Sequence, residues 1–275
     1  MKKICIYGKG GIGKSTVVSN VAAALACTGL KVAVVGCDPK ADSTRNLTRT
    51  RTETVLNCVM RGEEQFYAYG FKDVLCIESG GPEPGTGCAG RGIVSALTAI
   101  REKNLLADRD VVLFDVLGDV VCGGFSAPMR EQVADQVYLV TTDDYMALYA
   151  ANNICKGICK YAAYGDIRLS GVIRNGRSSV SEMGAAEAFA AAIGSEVIGS
   201  IPMDRAVSLA EIRRQTVIES YPDSSIAQAF RDLAQAILQK EGGIVPNPLS
   251  EDALEGLYLE SMQKRQAEQC GKGGR

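Results

Sequence analysis

Short runs of apolar and β-branched residues alternate along the chain with longer stretches of helical periodicity. The apolar runs predict strands at residues 3–7, 31–36, 74–78, 110–115, 136–141, 168–173 and 196–201. The helical stretches fall near 15–28, 90–103, 127–133, 145–163, 181–193, 204–213 and 223–240. Strand–helix alternation with short connections predicts an α/β fold: a doubly wound, mostly parallel sheet with helices on both faces. No internal repeat or low-complexity linker interrupts it, so residues 1–240 read as a single domain. The stretch after residue 241, with Gly242, Gly243, Pro246 and Pro248, breaks the pattern. Residues 241–275 are therefore expected to form a C-terminal extension. Its exposed helix at 250–266 would lie on the surface or on a partner, and 271–275 would be a disordered end.

Between the first strand and first helix stands GKGGIGKST, residues 8–16. Gly8, Gly10, Gly11 and Gly13 allow the backbone, including Ile12, to fold round an anion with its N–H groups inward. The helix N-terminus behind them adds partial positive charge. Lys14 can reach the terminal phosphates of a nucleotide, and Ser15, followed by Thr16, can ligate Mg²⁺. A glycine turn without function is the alternative, but the strand–loop–helix context is the one a phosphate loop needs. The pattern makes the fold a P-loop NTPase and the ligand a nucleoside triphosphate. Lys9 is a second lysine, placed directly after the first glycine. It is too close to the loop's start to serve the same phosphates and is instead expected to project across a dimer interface. In this it resembles the deviant phosphate loop of the dimeric ATPases that include the Min and Par proteins and the nitrogenase iron protein, in which the extra lysine acts across the dimer.

Composition narrows the remaining chemistry. The 275 residues are 46% hydrophobic and 23% charged, ordinary values for a globular protein. A net charge of −2 gives no basic field for nucleic acid. No apolar run is long enough to span a bilayer and no signal peptide precedes the first strand, so a cytoplasmic protein is expected. Histidine is absent, which removes Ser-His-Asp and Cys-His catalysis and histidine-ligated metals.

Carboxylates must then do the acid–base work. Asp38 and Asp42, with Lys40 between them, follow the second strand and lie where parallel sheets bind ligands. Asp115 closes an apolar strand (Val111, Val112, Leu113, Phe114) in the Walker B manner and would enter the Mg²⁺ shell. Asp119 follows in a loop that a γ-phosphate near Gly118 would reorganise. Asp38 and Asp119 are both candidates to orient the attacking water. Asn175 and Asp204 end later strands, on the same side as the phosphate loop, and can hydrogen-bond an adenine edge; taken alone, each is an ordinary turn residue.

Ten cysteines include no Cys-x-x-Cys pair. Most are expected to be small buried hydrophobes, among them Cys5, Cys27 and Cys76. Cys155 and Cys159 share a helix face and read as packing rather than metal binding. Cys88 and Cys122 stand apart, each in a glycine-flanked loop whose backbone N–H groups are available to cluster sulfurs. Thiolates suit zinc or iron–sulfur clusters, but such sites usually need four; a symmetric dimer would supply the set. Two buried or redox-active cysteines are the alternative.

Four strings carry a resemblance: GCDPKADSTR at 36–45, GGPEPGTGCAGRG at 80–92, DVLGDVVCGGF at 115–125 and ALYAANN at 147–153. All resemble the nitrogenase iron protein family, and the likeness extends from residue 1 to about residue 240. The resemblance implies a homodimer bridged by one 4Fe–4S cluster on Cys88 and Cys122 of both chains. It also implies MgATP in each subunit, a reduced ferredoxin or flavodoxin as donor, and transient docking on a nitrogenase or nitrogenase-like catalytic component. By the same likeness Asn175 and Asp204 lie near adenine, and Arg91 matches the arginine at the docking face that some members ADP-ribosylate. Residues 48–71 are shorter than in molybdenum-nitrogenase iron proteins, and 143–145, 176–183 and the C-terminal extension differ too. These departures lean towards a nitrogenase-like reductase serving methylthio-alkane, tetrapyrrole or nickel-porphinoid reduction, with a dinitrogen-fixing system as the alternative. The dark-operative protochlorophyllide type fits less well, because Ala41 replaces its usual histidine. The rivals from other classes are a cluster-free Min/Par-type regulatory ATPase and a cluster-carrier ATPase with a Cys-x-x-Cys pair.

Overall fold

The computed structural model describes residues 1–81, 90–118, 127–131, 133–176 and 184–272. The chain opens with β1 (Lys2–Gly8), α1 (Lys14–Cys27) and β2 (Val32–Gly36), then short helices α2 (Arg45–Thr48) and α3 (Val55–Arg61). Strands β3 (Tyr67–Tyr69) and β4 (Leu75–Glu78) lead to α4 (Gly90–Glu102), β5 (Val111–Leu117), α5 (Ala127–Arg130) and β6 (Gln136–Thr141). Next come α6 (Tyr145–Ala162), β7 (Arg168–Asn175), α7 (Ala185–Ala192) and β8 (Val197–Ile201). Helices α8 (Arg205–Ile212), α9 (Val217–Ser220), α10 (Ser225–Gln239) and α11 (Glu251–Lys272) complete the order.

One sheet of eight strands runs β3-β4-β2-β5-β1-β6-β7-β8. All pairings are parallel except β3 with β4. This is the expected α/β sheet with one addition. The sequence reading gave seven strands; the eighth, β3, is three residues on an edge, too short to show a period of its own. Alternate residues of β1 serve opposite faces, Ile4 and Ile6 entering one core and Cys5 and Tyr7 the other. Helix α1 is buried almost all round because α9 and α10 cover the side away from the sheet; its alanines at 22, 23, 24 and 26 permit that close packing. Hydroxyl and carboxylate caps start the later helices: Asp204 accepts from the Ala206 N–H, Thr216 from Glu219 and Ser224 from Ala227.

The C-terminal segment is tied to the sheet. Ile244 exchanges two backbone bonds with Leu169 at 2.9 Å each, and the Asn152 side chain clamps both backbone groups of Leu249 at 2.8 Å. Helix α11 lies on α6 and α7 with Leu254 fully buried, and its backbone continues to Lys272 rather than ending at 266. Among the described residues, no helix is long and apolar enough to cross a membrane.

Candidate nucleotide site

The phosphate loop joins β1 to α1 in the middle of the sheet, between β5 and β6. Gly13 caps α1 with φ of 86°, a left-handed conformation that glycine adopts without strain. It also has no room for a side chain, since a Cβ would lie 2.5 Å from Asn175 Nδ2. Asn175 in turn donates to the Ile12 carbonyl at 2.6 Å, fastening the end of β7 to the loop. Gly8, Gly10, Gly11, Ile12 and Gly13 span the turn from β1 to α1, whose first turn holds Lys14, Ser15 and Thr16, with Lys9 half-buried at the loop's start.

Lys14 is buried and its ammonium meets Asp115 Oδ1 at 2.7 Å. The register explains the meeting, because Asp115 on β5 lies beside Ile6 on β1, two residues before Gly8. Asp115 Oδ2 is buried with no partner. An orphaned carboxylate oxygen beside a phosphate loop fits the shell of a hydrated Mg²⁺ held with Ser15. Gly118 closes the other side: a Cβ on it would come within 2.2 Å of the Gly8 carbonyl oxygen. The backbone leading towards Asp119 thus rests directly on the first peptide of the phosphate loop.

A cleft of about 340 Å³ opens beside Thr16, between the ends of β7 and β8 and the start of α8. Gly13, Asn175, Pro202, Met203 and Asp204 line it, which brings the two proposed adenine contacts to one place. Asp204 is at the same time the cap of α8, so one of its oxygens is already engaged with Ala206 at 2.7 Å. Glu211 also lines the cleft and accepts a hydrogen bond from the Thr16 hydroxyl, a contact the sequence did not announce. Arg174, next to Asn175, is committed elsewhere. It pairs with buried Asp143 at 2.8 Å, and Asp143 also accepts from the Ala186 N–H at the start of α7.

Asp38 is buried and accepts from the Lys40 N–H at 2.9 Å, folding the loop after β2 into a tight turn. Lys40 and Asp42 are exposed, and Asp42 lines a separate cleft with Arg45, Arg51 and Arg214. Asp119, Cys88 and Cys122 lie outside the described residues, as does the side chain of Arg91, whose backbone opens α4.

The remaining cysteines divide clearly. Cys5, Cys37, Cys58, Cys76 and Cys155 are buried as expected, but Cys27, the last residue of α1, is exposed although Ala24, Leu25 and Ala26 before it stay in the core. Burial pushes the Cys5, Cys76 and Cys155 thiols up and Cys37 up to about 12, the Asp115 carboxylate adding to the last. Such thiols stay protonated and make poor metal ligands. Cys159 donates to the Pro246 carbonyl at 3.0 Å, a packing role. Among the described residues, no group of three cysteine or carboxylate side chains could hold a metal ion.

Comparison with known proteins decides the family. The model for the 4Fe–4S iron sulfur cluster binding proteins of the NifH/frxC family matches residues 2–264. The chain belongs to this family. A nitrogenase iron protein from Methanococcus voltae is 50% identical over 279 residues, covering 98% of this chain and all of that protein. The family's cofactors, a 4Fe–4S cluster and MgATP, are accordingly those of this chain. Solved structures with the same fold include the cell division ATPase MinD of Pyrococcus furiosus, at 24% identity and a TM-score of 0.69, covering 86% of this chain and 98% of that one. A ParA family ATPase from Chlorobium tepidum matches at 20% identity and a TM-score of 0.63, covering 85% and 98%. At such identities the likeness is one of fold. A NifH/frxC family model spanning nearly the whole chain does not favour the cluster-free Min/Par-type reading.

One carboxylate escaped the sequence reading although its signal was present. Glu78 follows an apolar run just as Asp115 does, and the structure buries it completely.

Proposed function

We infer that this protein is an ATP-dependent electron-transfer component that delivers single electrons to a nitrogenase-like catalytic partner. Two protomers share one cluster, Cys88 and Cys122 of each supplying the four thiolates, and that group contributes the one-electron chemistry. Lys14 and the backbone of residues 8–16 hold the phosphates. Ser15 and Asp115 serve the Mg²⁺ shell, and Lys40 and Asp42 approach the nucleotide from the loop after β2. Asn175 and Asp204 flank the adenine, Asp38 or Asp119 orients the attacking water, and Lys9 reaches the partner protomer's nucleotide. Arg91 belongs to the docking face and is the residue open to ADP-ribosylation. Reduced ferredoxin or flavodoxin reloads the dimer in the cytoplasm, with neither membrane nor nucleic acid involved. Residues 1–240 form the working domain, and 241–275 are an extension laid on it.

The observation that carries this reading is the contact of Gly118 with Gly8. The segment bearing Asp119 and Cys122 begins on the phosphate loop itself, so a change in phosphate occupancy acts at the root of a ligand loop. The shortened stretch between residues 48 and 71 favours a nitrogenase-like reductase acting on methylthio-alkanes, tetrapyrroles or nickel porphinoids. A second reading, service to a dinitrogen-fixing enzyme, is favoured by the name of the Methanococcus voltae relative.

Oxygen-free purification tests the proposal. The expected product is a brown dimer with about four irons and a reduced-cluster paramagnetic signal that changes on adding MgATP. Colourless protein after reconstitution, or a full cluster in a monomer, would refute it.

A further inference from the structure

Glu78 is the only polar residue of β4 and is 0% exposed. Its Oε1 accepts from both the backbone N–H of Thr44, at 2.6 Å, and the Thr44 hydroxyl, at 2.7 Å. Its Oε2 has no partner. Gly36 is the register neighbour of Glu78 on β4 and of Asp115 on β5, so the two carboxylates stand on one face with a bare glycine between them. Glu78 leans into that gap: a Cβ on Gly36 would lie 2.0 Å from Oε2. Ser43, whose Cβ would lie 2.8 Å from one on Gly36, and Asp115 contribute two further buried oxygens without a partner, Oγ and Oδ2, on this face. Natural cores carry few such groups, and three together across three adjacent strands call for a reason beyond packing.

The loop after β2 touches the root of the Cys88 segment at a second point. A Cβ on Gly81 would meet Pro39 at 2.7 Å, so residues 38–44 grip both Glu78 and Gly81. Gly92 packs there too, since a Cβ on it would come within 2.5 Å of the Gly80 carbonyl oxygen. Gly80, Gly81 and Gly92, described residues flanking 82–89, therefore pack on one another and on the loop after β2.

We propose that Glu78 is a positioning residue that ties the Asp38–Asp42 loop to the strand feeding Cys88, giving nucleotide binding a route to the cluster separate from the one through Gly118. The inference rests on the reading of Cys88 as a cluster ligand. Displacement of the loop by MgATP pulls on Glu78 through Thr44 and on Gly81 through Pro39, and β4 passes that pull to the segment that follows it. What matters at Glu78 is an acceptor, not a charge. Burial, with the Asp115 and Asp42 carboxylates, outweighs the two Thr44 bonds and pushes its carboxyl up to about 8.

The test uses the anaerobic holoprotein and follows MgATP-stimulated loss of cluster iron to a chelator, beside cluster content and MgATP affinity. Glu78→Ala is expected to keep its cluster and bind MgATP near normally but lose about tenfold in the stimulated rate, the effect of one or two lost buried hydrogen bonds. Glu78→Gln, which keeps an acceptor for Thr44, restores the stimulated rate to within about twofold. Should Glu78→Ala fail to assemble, Thr44→Val removes one of the two bonds without changing charge, and a reduced stimulated rate is expected from it. Wild-type stimulation in Glu78→Ala or, failing that, in Thr44→Val overturns the proposal, as does a Glu78→Gln protein as defective as Glu78→Ala. If the wild-type protein itself shows no response to MgATP, the parent reading of function fails instead.

Discussion

Replacing Glu78 by glutamine should remove a pH dependence of stability that the wild-type protein carries near neutrality. The carboxyl stands at about 8 in the folded protein against an ordinary value of 4.5, burial being the main cause. Between those values the folded chain holds a proton that the unfolded chain has released. Stability attributable to Glu78 is therefore complete below about pH 4.5 and declines as pH rises through about 8. One proton corresponds to about 1.4 kcal/mol per pH unit, so the decline between about pH 6 and about pH 8 amounts to ~2–3 kcal/mol. Several other shifted groups among the described residues act outside this window. The buried thiols of Cys5, Cys37, Cys76 and Cys155 are raised from 9.0, and Asp108 and Glu196 are lowered from 3.8 and 4.5. The assay is anaerobic urea unfolding of wild type and Glu78→Gln at fixed protein concentration, with the slope on urea checked for constancy. The difference in unfolding free energy between the two proteins should grow in favour of the variant by that amount as pH rises. Parallel curves from about pH 6 to about pH 8 would show that Glu78 is ionised at neutral pH and refute the reasoning.

Two further substitutions probe the phosphate loop. Lys14→Met strands Asp115 as an unpaired buried carboxylate and should cost about 3–5 kcal/mol of stability in urea unfolding without nucleotide; adding Asp115→Leu should recover much of it, and no recovery would show that the pair is not the source of the loss. Gly118→Ala drives a methyl into the Gly8 carbonyl and should cost about 1–3 kcal/mol while weakening MgATP binding measured by calorimetry; unchanged affinity would show that the segment after β5 is not supported by the phosphate loop.

What the chain announced on its own was whatever its backbone needs locally. The phosphate loop was legible because its glycines, its lysine and its place between an apolar strand and a helix are all short-range requirements. The buried strands follow from equally local chemistry. The edge strand β3 was not legible, because three residues have no period and Tyr67–Tyr69 is a strand only by pairing with β4. Nor could any local pattern say that Asp143 is the anchor of Arg174, or that Cys27 lies beyond the core. Glu78 shows the limit most sharply. Its place at a strand end could be read from the sequence, but its isolation from water could not. That isolation arises when β4, β2 and β5, distant in the chain, are aligned by backbone hydrogen bonds, setting Glu78, Gly36 and Asp115 in one row. A side chain's solvation, and with it its protonation, is a property of everything packed around it, and the tertiary structure alone supplies that.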